Sequence, residues 1–71
     1  MNNLEIFSTR LNELTKENGM TAFALTKKLD IPHSTAWAWY AGKSFPSVEY
    51  LIKLAKFFDC STDFLLGLKE Y

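Results

Sequence analysis

Several residue types are scarce in this sequence, and each scarcity excludes a class of protein. Cys60 is the only cysteine, so the chain forms no internal disulfide and no multi-cysteine zinc site. This cysteine usage fits a reducing compartment, and we expect a cytoplasmic location. No apolar run approaches the roughly 18 residues of a membrane span, and the first five residues carry no basic start of a signal peptide. We therefore expect no membrane association.

Residues that commonly carry catalysis are also few. The three glycines are scattered and form no phosphate-binding loop. His33 is the only histidine, and a whole helix-loop-helix segment separates it from Cys60. Asp59 and Asp63 lie across a helix start, where capping explains them better than catalysis. We predict no enzyme, no catalytic residue, no metal site, no cofactor and no small-molecule ligand.

Net charge is absent as well. Eight basic and eight acidic side chains give a formal charge of zero. Proteins that bind nucleic acid usually carry an excess of basic residues, so the sum counts against such a partner. The distribution of the charges along the chain matters more than their sum.

The residues that are present specify a helical protein. Hydrophobic residues make up 48% of the chain, which is ample for a core, and polar residues interrupt them at helical spacing. No segment alternates apolar and polar residues as a strand would. At 71 residues, the chain is long enough for one small domain. We predict an all-α fold and a single domain over residues 1–71.

Apolar spacing and capping residues together predict five short helices. The first ends at Asn18-Gly19, the second follows the N-cap Thr21, and the third begins at Pro32 and stops at Gly42. The fourth follows the cap Ser47, and Ser61 or Thr62 caps the fifth, which Gly67 ends. The predicted inward stripe of the fourth helix is Val48, Leu51, Leu54, Ala55 and Phe58, and that of the fifth is Phe64, Leu65 and Leu68.

The segment from Thr21 to Gly42 is the part around which the others are arranged. It is predicted to form two short helices, with a break at residues 30–32 between them. Leu25 and Leu29 face inward from the first of these helices, and Ala36 and Trp39 from the second. Two short helices joined by a tight turn form a helix-turn-helix, whose second helix can lie in the major groove of DNA.

From Phe7 to Gly67, the order and spacing of the residues resemble the Cro/repressor-type helix-turn-helix family, the xenobiotic-response-element regulators. The matching positions are Arg10-Leu11, Leu14, Gly19-Met20-Thr21, Leu25, Leu29, Ile31, Ser34-Thr35, Trp39, Gly42-Lys43, Pro46-Ser47, Leu51, Leu54-Ala55 and Phe64-Leu65-Leu66-Gly67. The resemblance implies a five-helix lambda-repressor-like domain with its helix-turn-helix at helices 2 and 3. It also implies a small transcriptional regulator of the repressor type, which binds double-stranded DNA as a homodimer on a two-fold site.

The resemblance also assigns roles to residues. The positions that would face the base edges are His33, Ser34, Trp37 and Ala38. Helical geometry independently places these four on one face, opposite Ala36 and Trp39. The candidates for phosphate contacts are Thr21, Ala22, Thr35, Lys43 and Ser44. For the dimer interface we expect the region around Phe57, Cys60 and Leu66.

Two of these roles leave alternatives open. His33 could be a solvated residue of the first helical turn, and Trp37 could be an aromatic residue packed on the neighbouring loop. Trp37 and Ala38 have little polar reach, but apolar contact with thymine methyl groups is available to them.

The chain also departs from the family pattern. Ala22 stands where the family usually has Gln, and Thr15 and Tyr40 stand where it often pairs Arg with Glu. No formally charged residue occurs between Ile31 and Gly42.

These departures suggest a second function, a protein-interaction module in which the fold is retained. An apolar patch would then bind a partner protein, and its members would be Ala22, Phe23, Trp37, Tyr40 and Phe45. A positive rim formed by Lys27, Lys28 and Lys43 would instead favour DNA.

Overall fold

The computed structural model describes all 71 residues and contains five α-helices and no strand. These are α1 (Asn3–Glu17), α2 (Ala22–Leu29), α3 (His33–Tyr40), α4 (Val48–Phe58) and α5 (Thr62–Leu65). The prediction of an all-α, five-helix fold is confirmed, and each predicted helix lies within two or three residues of its observed limits. No helix combines the length and the apolar character needed to cross a membrane.

Four of the five helices begin at a side chain that caps the first turn. The caps are Asn2, Thr21, Ser47 and Ser61, and each oxygen accepts a hydrogen bond of 2.9 to 3.2 Å from the backbone N–H three residues later. Of the two candidates for α5, Ser61 is therefore the cap. The exception is α3, because Pro32 precedes it and has no side-chain acceptor.

The core is a single cluster of nine buried hydrophobic side chains, to which every helix contributes. Its members are Phe7, Leu11, Leu25, Ile31, Ala36, Trp39, Leu54, Ala55 and Leu65. Trp39 is the largest of them and is only 1% exposed. Its indole packs near the ring of Tyr50 on α4, with ring centroids 5.6 Å apart. Trp39 thus joins the helix-turn-helix to the rest of the domain.

Two residues of the predicted inward stripes are exposed to solvent. Val48 is 73% exposed because it is the first residue of α4, where the helix has not yet reached the buried cluster. Leu68 is 66% exposed because α5 ends at Leu65 and the chain then turns at Gly67 with φ of +79°. Beyond that turn the helical period no longer decides which side chains face inward.

Side chains from neighbouring helices satisfy the last carbonyl groups of the helix-turn-helix. The carbonyl oxygen of Tyr40, at the end of α3, accepts hydrogen bonds from Ser8 Oγ at 3.0 Å and Asn12 Nδ2 at 3.2 Å. That of Leu29, at the end of α2, accepts one from Lys53 Nζ at 2.7 Å. Such groups have no partner within their own helix. Side chains of α1 and α4 therefore fix the C-terminal ends of α3 and α2, respectively.

The Tyr40 side chain also faces α1. Its hydroxyl lies 2.7 Å from Thr15 Oγ1, which in turn donates to the carbonyl oxygen of Leu11 at 2.7 Å. Thr15 and Tyr40 are the positions at which the family often pairs Arg with Glu. A neutral hydroxyl pair therefore links α1 to α3 here, and it avoids the desolvation cost of a buried ion pair. Burial raises the pKa of the Tyr40 phenol.

The residues after α5 fold back on α1. Asn3 Nδ2 donates to the carbonyl oxygen of Leu66 at 2.7 Å. The Arg10 guanidinium lies 4.3 Å from the ring centroid of Phe64 and donates to the carbonyl oxygen of Lys69 at 2.9 Å. At Gly67 a Cβ would meet Ile6 Cγ2 at 2.9 Å, so the close approach requires glycine. These contacts keep the tail on α1 and away from the outward side of α3.

Trp39→Ala should destabilise the domain by about 3–5 kcal/mol, because it empties the largest buried site of the core. Urea unfolding followed by circular dichroism measures this, and Trp39→Phe should give a smaller loss if the alanine variant does not fold. Trp37→Ala is the matched control and should change stability by less than about 1 kcal/mol. An unchanged urea midpoint for Trp39→Ala would contradict the buried position.

Tyr40→Phe should cost about 1 kcal/mol, because it removes the hydroxyl that bonds to Thr15. A double-mutant cycle with Thr15→Val isolates the pair from other effects.

The same phenol predicts a pH dependence. Its raised folded-state pKa means that its contribution is complete below the unfolded value near 10 and is lost as the pH rises through the folded value. The native protein should therefore lose stability above pH 10 more steeply than Tyr40→Phe does. Parallel alkaline profiles of the two proteins would contradict a buried phenol.

Candidate nucleic-acid interface

The turn between α2 and α3 fixes how the two helices meet. Asp30 ends α2 with φ of +55°, a left-handed conformation that Asp tolerates better than most residues. The N–H of Ile31 then donates to the carbonyl oxygen of Thr26 at 2.9 Å, and the Ile31 side chain is buried in the core. Pro32 follows and starts α3. The buried side chain of Ile31, in the middle of the turn, therefore anchors the turn to the core.

The helix α3 has a buried side and an exposed side. Ala36 is fully buried and Trp39 is 1% exposed, whereas Trp37 is 57% exposed. His33 and Ser34 are exposed with Trp37, and Ala38 is half-buried beside them. The four residues predicted to face the bases thus share the outward side of α3. Trp37 forms no ring pair with another aromatic side chain, and it is more exposed than the alternative of a partly buried aromatic residue predicts.

A small cluster joins α2 to the start of α3. The ring centroids of Phe23 and His33 are 5.6 Å apart in an edge-to-face arrangement. Lys27 Nζ lies 5.4 Å from the Phe23 centroid, within the range of a cation–π contact. His33 is therefore exposed but oriented by a neighbouring ring. The positive charge of Lys27 therefore lies beside Phe23, one turn away on the same helix.

Backbone donors at the start of α2 are free for an anion. The Thr21 side chain caps the N–H of Ala24 at 3.1 Å, while the N–H groups of Ala22 and Phe23 have no acceptor in the chain. Donors at a helix start favour phosphate. Of the predicted phosphate contacts, Ala22 is half-buried and offers its backbone rather than its side chain.

The loop after α3 holds two further candidates. Gly42 has φ of +73° and ends the helix, and the N–H of Lys43 donates to the carbonyl oxygen of Ala38 at 2.8 Å. The side chains of Lys43 and Ser44 are exposed. Thr35, the remaining candidate, is half-buried on α3.

The start of α3 adds donors that the sequence analysis did not single out. Because Pro32 has no capping side chain, the N–H groups of His33 and Ser34 have no acceptor in the chain. The sequence signal was available, since proline at this position cannot cap a helix.

The balanced charge of the chain conceals an uneven distribution. Residues 18–47 contain Lys27, Lys28 and Lys43 against Asp30, a net charge of +2. The rest of the chain has five basic and seven acidic residues, a net charge of −2. Residues 18–47, which include the helix-turn-helix, are thus the positive part of a neutral molecule.

The expected aromatic patch is smaller than the sequence suggests. Tyr40 does not belong to its exposed part, because its ring is half-buried and its hydroxyl bonds to Thr15. Phe45 is 45% exposed and packs on buried Phe7, with centroids 6.0 Å apart. Phe23 and Trp37 remain as the most exposed rings of the patch, each 57% exposed.

The residues expected at the dimer interface are less exposed than two apolar residues of α4. Phe57, Cys60 and Leu66 are all half-buried, and the first two pack against the core. Burial raises the pKa of the Cys60 thiol, and the charge of Asp59 adds to this. Val48 and Ile52, one helical turn apart on α4, expose more apolar surface.

The one cleft of the surface lies away from α3. The one cleft, about 270 Å³, lies between α1 and α5 and is lined by Arg10, Glu13, Leu14, Glu17 and Phe64. No three His, Cys, Asp or Glu side chains lie close enough together to hold a metal ion.

Comparison with known proteins agrees with the helix-turn-helix formed by α2 and α3. A family model described as helix-turn-helix matches residues 11–65. An uncharacterized HTH-type transcriptional regulator of Bacillus subtilis (strain 168), YobD, is 31% identical over 65 residues, which cover 92% of this chain and 58% of that protein. The chain therefore spans little more than half the length of this curated relative. No solved structure matches this chain.

Proposed function

Since this chain belongs to the Cro/C1-type helix-turn-helix family, we propose that it binds double-stranded DNA as a transcriptional regulator, with α3 in the major groove. The observation that carries the proposal is the outward side of α3, where His33, Ser34 and Trp37 are exposed while Trp39 is buried. The major groove is about 12 Å wide and admits one α-helix.

Contacts to the phosphates would come from both ends of the motif. The free N–H groups of Ala22 and Phe23 would meet one strand, and Lys43 with Ser44 would meet the other. Such contacts fix the register of a protein on the duplex without selecting its sequence. The net charge of +2 on residues 18–47 supports this orientation over one that presents the acidic α1.

We propose a homodimer as the binding form. A helix of eight residues makes few base contacts, so one copy has little affinity or specificity. Two copies on a two-fold site would place their α3 helices in half-sites about 34 Å apart. The region around Phe57, Cys60 and Leu66 is the proposed interface.

A protein-interaction module is the second candidate. The exposed rings of Phe23 and Trp37 favour it, since aromatic side chains anchor many protein interfaces. The position of Tyr40 counts against it, because the patch loses one of its expected members. Lys27 beside Phe23 also suits a polyanion better than an apolar partner.

Selection from a random duplex pool at low and moderate salt tests the proposal. We expect an enriched, two-fold symmetric site, and we expect Trp37→Ala to weaken binding to it at least tenfold while the circular dichroism spectrum stays unchanged. Tyr71→Ala is the matched control, since it removes another exposed aromatic ring and leaves in place the backbone oxygen bonded to Ser61. Retention of no duplex at low salt would contradict DNA binding and favour the second candidate.

A further inference from the structure

The outward side of α3 lacks every side chain that forms paired hydrogen bonds with a base. Such pairs come from Arg or Lys with guanine, from Asn or Gln with adenine, and carboxylates accept from cytosine. None of these residue types occurs between Ile31 and Gly42. His33 and Ser34 can each form a single hydrogen bond, which discriminates poorly. If α3 lies in the major groove, base selection has to come from another interaction.

The same face offers exposed apolar surface instead. Trp37 is 57% exposed, and the methyl group of Ala38 follows it directly along the helix. Ser34 lies one turn before both, so the apolar groups occupy the centre of the outward face and the polar ones its first turn. No ring of the chain stacks on Trp37, and its indole is therefore available to a partner.

The major groove has one apolar feature, the C5 methyl group of thymine. An indole and an alanine methyl can exclude water from that group but gain nothing comparable from the polar edges of guanine or cytosine. We propose that this chain selects its sites by C5-methylated pyrimidines, with Trp37 and Ala38 in contact with the methyl groups. The inference rests on the proposed function, because it requires α3 to lie in the groove.

Replacement of thymidine by deoxyuridine tests the inference at single atoms. Uracil keeps every hydrogen-bonding group of thymine and lacks only the methyl group. In the duplex recovered by selection, each thymidine of a half-site is replaced in turn, and affinity is measured by fluorescence anisotropy. We expect about a fourfold loss at one or two positions, the effect of one methyl-sized apolar group, and about 15-fold when both half-sites are changed. At those positions, 5-methylcytosine should bind more tightly than cytosine.

Protein variants assign the effect to the indole. Trp37→Ala and Trp37→Gln should reduce the preference for the thymidine over the deoxyuridine duplex to the part that Ala38 contributes, whereas Ser34→Ala, the control on the same face, should keep the full preference. The glutamine variant can form hydrogen bonds with adenine, so it also serves if the alanine variant binds too weakly to measure.

The outcomes separate this inference from the proposed function. Tight binding that tolerates uracil at every position would overturn methyl selection and leave DNA binding in place. A preference for thymidine that stays undiminished in both Trp37 variants would overturn the role of the indole. Retention of no duplex would overturn both proposals.

Discussion

The burial of Trp39 is the contact on which the rest of this structure depends. An α-helix has 3.6 residues per turn, so residues two apart lie on nearly opposite sides. Once Trp39 is fixed in the core, Trp37 has to face solvent. Two tryptophans of similar chemistry therefore have opposite environments. Any role of α3 in binding follows from this single choice of rotation.

Hydrogen bonds at the end of α3 reinforce that rotation. Ser8 and Asn12 donate to the carbonyl oxygen of Tyr40, and the Tyr40 hydroxyl bonds to Thr15. All three partners lie on α1, one helical turn or so apart. The helix α3 is thus held by the apolar packing of Ala36 and Trp39 and by polar contacts at its C-terminal end. Its N-terminal end has no side-chain cap, and the backbone N–H groups of His33 and Ser34 have no acceptor in the chain.

The helix limits could be predicted from the sequence because capping residues and glycine act locally. Thr21, Ser47 and Ser61 cap as expected. Periodicity failed where a helix begins or ends: Val48 lies ahead of the core and Leu68 beyond the turn at Gly67. The environment of Tyr40 could not be predicted either. Aromatic residues lie on both sides of α3, and only the packing of α3 against α1 shows that the Tyr40 ring is the one that contacts α1. The contact between Phe23 and His33 likewise depends on the angle between α2 and α3.

Fluorescence quenching of Trp37 is the most direct test of the outward rotation of α3 and of its use in binding. In Trp39→Phe, which keeps an aromatic side chain in the core, Trp37 is the only tryptophan. We predict red-shifted emission that acrylamide quenches readily in the free protein, and protection from quenching when the selected duplex is added. Emission that is already blue-shifted and protected in the free protein, or quenching that the bound duplex leaves unchanged, would contradict the account.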